Sequence, residues 1–227
     1  MSKRLLFLAV IIVAVFAFVG CSYHVRGDYV RGSGGHVSVN PQLASDFAFN
    51  AINVNGHFDV EFQSRDSFGY TLTAQENLHD YISINLRGNT LYVSTTRNIR
   101  TSSGNTPRIV LQAPYINNIN IVGAANIQNW DALYTDTLDI TITGAGNISL
   151  HGEVNNLDIT LSGAGSIDTS KLFANDATVR LNGAGRVILY ANETLYARLN
   201  GVGHITYYGS ASVERRGGGV GRIRSGN

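Results

Sequence analysis

The sequence predicts an all-β protein folded as a parallel β-helix, also called a β-solenoid, with a period of about 18–21 residues. Two observations favour this fold. Apolar and polar residues alternate with a period of two along much of the chain after residue 47, as in strands with one buried face. From about residue 119, a short glycine-containing unit also recurs at nearly constant spacing, which is typical of stacked coils.

The repeated unit has the pattern Gly-x-Gly-x followed by Ile or Val, and it occurs six times. Its first glycines are spaced by 21, 19, 20, 18 and 18 residues: Gly123, Gly144, Gly163, Gly183, Gly201 and Gly219. In the first copy, Ala125 replaces the second glycine. We interpret these glycines as strand corners that need positive φ or close backbone approach, and not as a phosphate-binding loop.

Each unit is predicted to form a strand, a glycine corner and a second short strand. One unit cannot bury its own apolar face, so parallel stacking at about 4.8 Å would align like residues into a continuous core. The predicted inward rows comprise Ile140, Ile142, Ile148, Leu157, Ile159, Leu161, Ile167, Val179, Leu181, Val187, Leu199 and Ile205. In the last unit Arg215 and Gly217 replace apolar residues, which predicts a polar C-terminal cap.

The N-terminal segment predicts export and lipidation. Residues 1–20 combine Lys3 and Arg4 with a long apolar run, as in a signal peptide. Phe18-Val19-Gly20-Cys21 resembles the lipobox of bacterial lipoproteins, in which the cysteine carries the lipid. Residues 21–46 are then expected to be a lipidated, flexible tether, and residues 47–227 the solenoid domain. Ser22, in place of an inner-membrane retention aspartate, favours the outer membrane.

Composition excludes several classes of site. The only cysteine is Cys21, so no intrachain disulfide can form. Loss of Lys3 and Arg4 with the signal peptide would leave 15 basic and 16 acidic residues, a net charge of −1, which does not favour nucleic-acid binding. No cofactor motif, metal-ligand spacing or catalytic triad is evident. Asp139 and Asp158 occupy one outward position in consecutive units, and we interpret them as part of a solvated face.

The repeated units resemble the putative auto-transporter adhesin, head GIN domain family. Ile52-Asn-Val-Asn-Gly-His-Phe-Asp-Val-Glu-Phe62 is similar to the opening segment of that family, and the likeness covers about residues 47–205. The resemblance implies an exported or surface β-helical protein. It brings no catalytic residues.

Two outward rows turn basic in the last three units. The first basic row is Arg180, Arg198 and Arg216, and the second basic row is Arg186, His204 and Arg222. Guanidinium groups suit carboxylate and phosphate anions, so both rows are candidate anion-binding sites. The alternative is a solvated cap that protects the end of the stack.

These observations predict a membrane-tethered envelope module for binding or adhesion, with an anionic glycan or another cell-surface polymer as its partner. Two alternatives remain from sequence. Parallel β-helices also support polysaccharide-degrading or polysaccharide-modifying enzymes, since one fold hosts many functions. A purely structural envelope protein would need no ligand.

Overall fold

A computed structural model of the chain describes residues 28–41 and 47–226 and confirms a β-solenoid of about five turns. The predicted signal peptide and Cys21 lie outside these residues. A 3₁₀ helix spans Glu76–Tyr81. The described residues form eighteen strands: β1 (Tyr29–Arg31), β2 (His36–Val39), β3 (Ala51–Asn55), β4 (His57–Ser64), β5 (Gly69–Gln75), β6 (Ile82–Arg87), β7 (Thr90–Thr95), β8 (Asn98–Arg100), β9 (Arg108–Ala113), β10 (Asn118–Ile121), β11 (Ala124–Asn129), β12 (Leu133–Ile142), β13 (Ala145–Leu161), β14 (Ala164–Leu181), β15 (Ala184–Leu199), β16 (Val202–Tyr208), β17 (Ser212–Arg216) and β18 (Val220–Ser225).

Two parallel ladders of strands run side by side along the solenoid. The strands before each glycine corner form the order β7-β3-β10-β12-β13-β14-β15-β17. The strands after each corner form the order β9-β4-β11-β13-β14-β15-β16-β18. Strands β13, β14 and β15 belong to both ladders because they continue around the coil from one glycine corner to the next.

The N-terminal end of the stack is antiparallel. Strand β6 pairs with β7, β5 pairs with β9, and β2 pairs with β5, all in antiparallel register. Strand β1 pairs with β8 in a separate two-stranded sheet. Strands β1 and β2 belong to the segment of residues 21–46 expected to be a flexible tether. They form strands because their backbone groups hydrogen-bond to β8 and β5, which lie far along the chain.

All twelve predicted inward residues are buried, which confirms the predicted register. Ile159 is fully enclosed, whereas Thr160, the next residue, is half-buried and faces outward. In β13 the alternation is regular to Val154, then two consecutive exposed residues, Asn155 and Asn156, turn the chain before burial resumes at Leu157. Each long strand thus bends around the core without losing its parallel pairing.

The corner glycines are required by close backbone approach. A Cβ on Gly183 would lie 1.9 Å from the carbonyl oxygen of Gly163 in the preceding coil. The second glycines of the later units, such as Gly185 with a φ of 153°, also adopt positive φ. Ala125 pairs with Phe58 of β4 and has a negative φ, so its backbone conformation does not require glycine.

The C-terminal coil has the predicted polar pattern. Arg215 pairs in register with the buried Ala197, so it occupies an inward position at the open end of the stack. Its guanidinium donates to the hydroxyl of Tyr207 and lies 5.4 Å from the centre of that ring. A charged group at this position opposes the addition of another strand to the exposed edge.

Candidate functional site

The structure aligns the first basic row but pairs its side chains locally. Arg180, Arg198 and Arg216 are register partners in successive coils. Nη1 of Arg180 donates to both carboxylate oxygens of Asp158, at 2.8 and 2.7 Å. Nε of Arg216 donates to Glu214 at 2.8 Å, and this hydrogen bond and the charge of Glu214 raise the pKa of the Arg216 guanidinium. Two of the three cations are therefore already neutralised.

An acidic groove accompanies the first basic row. The groove has a volume of about 690 Å³ and contains Asp139, Asp158, Asp176 and Glu214, with Tyr196 on the same wall. Asp139 and Asp158 are register partners, as their spacing predicted. Because Asp158 is held by Arg180, these two carboxylates form part of a mixed-charge face.

The second basic row is aligned and unpaired. Arg186, His204 and Arg222 are register partners in successive coils of the ladder after the glycine corner, and all three are exposed. Arg224, two residues beyond Arg222, adds a fourth exposed basic group on the same strand. Within the part of the chain that the structure describes, no carboxylate or other side chain hydrogen-bonds to these four groups.

Charge changes sign along this same ladder. At its N-terminal end the row that leads to Arg186 begins with Arg108, followed by Asp59, Asn126 and Asn147. Nδ2 of Asn126 donates to Asp59 at 2.8 Å, and Nδ2 of Asn147 donates to Asn126 at 3.0 Å. Arg108 forms an ion pair with Glu61, so Asp59 leaves the N-terminal half of this face acidic and amide-rich, whereas the C-terminal half is basic.

A third outward row was missed from sequence. In each coil it follows the strand that comes after the glycine corner and precedes the next turn, which in β13 is at Asn155. Register pairing aligns five residues along it, which we call the aromatic row: Tyr134, Glu153, Phe173, Tyr190 and Tyr208. The distance of these residues from the preceding glycine varies between units, since register shifts interrupt β13 and β14 just before Lys171 and Phe173. Aligning the units on their glycines therefore brings Tyr190 and Tyr208 together but leaves Tyr134 and Phe173 out of the row.

Residues 28–41 and 47–226 contain no cluster of three His, Asp or Glu side chains arranged to bind a metal ion. Among the same residues, no helix is long and apolar enough to cross a membrane. The described surfaces offer extended polar, charged and aromatic rows on the stacked coils.

The fold defines a β-solenoid protein that displays outward rows of charged, amide and aromatic side chains. The model of one family, described as putative auto-transporter adhesin, head GIN domain, matches residues 48–211. The chain belongs to this family, which confirms the resemblance found in the sequence.

Solved structures share the fold. A putative adhesin from Bacteroides fragilis NCTC 9343 is 20% identical with a TM-score of 0.69, covering 86% of this chain and 99% of that one. A putative adhesin from Parabacteroides merdae ATCC 43184 is 19% identical with a TM-score of 0.53, covering 88% of this chain and 100% of that one. A putative lipid binding protein from Parabacteroides distasonis ATCC 8503 is 18% identical with a TM-score of 0.52, covering 88% of this chain and 100% of that one. No curated protein sequence matches the chain.

Proposed function

We propose that this chain is a lipid-anchored protein of the bacterial cell envelope whose solenoid binds an anionic glycan or another anionic envelope polymer. Membership of an adhesin family supports an adhesion-like binding module and gives no support to a hydrolytic enzyme. The observation that carries the choice of ligand is the second basic row, because its basic side chains are exposed, aligned and unpaired.

The second basic row holds like charges on one face of the solenoid. Parallel stacking separates successive members of the row by about 4.8 Å at the backbone, so the guanidinium charges of Arg186 and Arg222, two coils apart, repel one another modestly. An anionic polymer lying along the row would relieve this repulsion and accept forked hydrogen bonds from the two guanidinium groups. The first basic row has less to gain, since Asp158 and Glu214 already occupy two of its cations.

The ligand proposal is tested with the full-length protein and two acidic probes, alginate and lipopolysaccharide. Arg186→Ser/Arg222→Ser should weaken binding about tenfold at low salt, the loss expected for two exposed charge contacts. Arg180→Ser/Arg198→Ser removes the same charge from the first basic row and is the matched control. Equal losses in both variants would mean that only net charge matters, and unchanged binding in both would reject the anion site.

The anchor proposal depends on Cys21. Its thiol is the only one in the chain and directly follows the apolar run of the signal peptide. Cys21→Ser should abolish incorporation of a fatty-acid analogue in growing cells and release the protein from the membrane fraction. Labelling of the variant at the wild-type level would show that the lipid is not attached at Cys21. Fractionation of inner and outer membranes then tests the outer-membrane placement that Ser22 favours.

A further inference from the structure

The aromatic row exposes large rings that the core does not require. The inward neighbours Val154, Ala174 and Ala191 are buried and complete the core beneath it. Tyr134 and Phe173 nevertheless expose 61% and 48% of their surfaces. Exposed apolar residues scattered singly need no explanation, but several rings gathered along one flank indicate an interaction surface.

Stabilisation of the sheet explains only some of the exposed rings in this row. Phe173 and Tyr190 form an edge-to-face pair, with ring centroids 4.8 Å apart, and such cross-strand pairs stabilise sheets. Tyr134 lies two coils from Phe173 and is separated from it by Glu153, so it takes no part in this pair. Its exposed ring remains unexplained by packing.

A ladder of amide side chains runs beside the aromatic row. Nδ2 of Asn155 donates to Asp136 at 2.6 Å, and Nδ2 of Asn175 donates to Asn155 at 3.0 Å. The rings and amides line a shallow groove of about 410 Å³ that also includes Asn192. Within the described residues, Oδ1 of Asn175 and the side-chain amide of Asn192 have no hydrogen-bond partner.

We propose that this flank binds a neutral polysaccharide chain lying along the solenoid axis. Rings present flat apolar faces to the C–H faces of sugars, and the free amide groups can hydrogen-bond to sugar hydroxyls. An acyl chain or another apolar partner would leave these amides desolvated and unpaired, which is costly. A polyanion would be repelled by Glu153 and Asp136. This flank is separate from the second basic row, and its ligand is uncharged, so the two sites are independent.

The test is affinity electrophoresis of the full-length protein in a non-sugar detergent, with a soluble β-glucan, an α-mannan or a xylan in the gel. At least one of these should retard the wild type, equally at low and moderate salt. Phe173→Ser/Tyr190→Ser should weaken that retardation about tenfold, as expected for lost ring contacts. Tyr196→Ser is the matched control, because Tyr196 lies on the same strand β15 but borders the acidic groove.

A second variant separates binding from folding. Tyr134→Ser removes an exposed ring outside the aromatic pair, so it should also weaken retardation while leaving the thermal unfolding midpoint unchanged. The proposal is overturned if none of the three polysaccharides retards the wild type, or if Tyr196→Ser loses as much retardation as the aromatic-row variants. It is also overturned if the variants keep sugar binding but lose binding to phosphatidylcholine vesicles, which would make a lipid surface the occupant.

Discussion

At the scale of single residues, the corner glycines explain why the repeat tolerates so little variation at one point. The coils approach so closely there that the carbonyl oxygen of one glycine occupies the space of a side chain on the next. The first glycine of each unit is therefore required by contact, and the second glycine of the last four units by contact and positive φ together. The glycine spacing allowed both requirements to be predicted, but only the structure separates them.

Gly183→Ala tests the contact requirement. The new Cβ would lie 1.9 Å from the Gly163 carbonyl oxygen, and a backbone atom cannot move aside without disturbing the neighbouring coil. We expect destabilisation of about 1–3 kcal/mol or more, as for overpacked sites, measured by chemical denaturation. Gly218→Ala is the control, since no atom lies within 4 Å of the place that its Cβ would take and its φ is not positive. Similar stability of the two variants would contradict this account.

Comparing the same position in successive repeats also overlooks diagonal contacts between coils. Asp158 is the register partner of Thr178, and it reaches Arg180 across the diagonal of the ladder. Such diagonal pairs lie within reach of long side chains. Comparing one repeat position at a time predicted an uninterrupted row at Arg180, whereas its neutralisation depends on a residue two positions away in the preceding coil.

At the scale of the strand, the period-two pattern is sufficient to predict the buried face. The apolar residues of each repeat alternate with polar ones, and a one-residue slip would expose the whole set. The prediction succeeds on either side of each glycine corner because the chain there is regular. It fails to predict the aromatic row, since the register shifts near Lys171 and Phe173 change the number of residues between corners.

Ile159→Ala tests the strand register. Ile159 is fully buried between coils, so its truncation should destabilise the fold by about 2–5 kcal/mol in chemical denaturation. Thr160→Ala changes the adjacent, outward residue of the same strand and should cost far less. A larger loss from Thr160→Ala than from Ile159→Ala would show that the assigned faces are reversed.

At the scale of the whole molecule, the solenoid is a rigid scaffold that displays several chemically different rows in parallel. The stacked core and the polar C-terminal cap could be predicted from the repeats. The antiparallel N-terminal end could not, because the segments that form β5 and β6 alternate like any other strands and carry no signal of direction, and β2 lies in the segment expected to be a tether. The choice between the two basic rows likewise required the positions of Asp158 and Glu214.

The dependence of affinity on ligand length tests the central claim most directly. The second basic row spans three coils. The backbones of Arg186 and Arg222 are therefore two inter-coil spacings apart, which is roughly 10 Å. Calorimetric titration of the full-length protein with uronic acid oligomers of increasing length should show affinity that rises until the chain spans the row and then levels off. The affinity should fall as salt rises, because exposed charges are screened. A monomer that binds as tightly as the long oligomers, or binding indifferent to salt, would contradict the account.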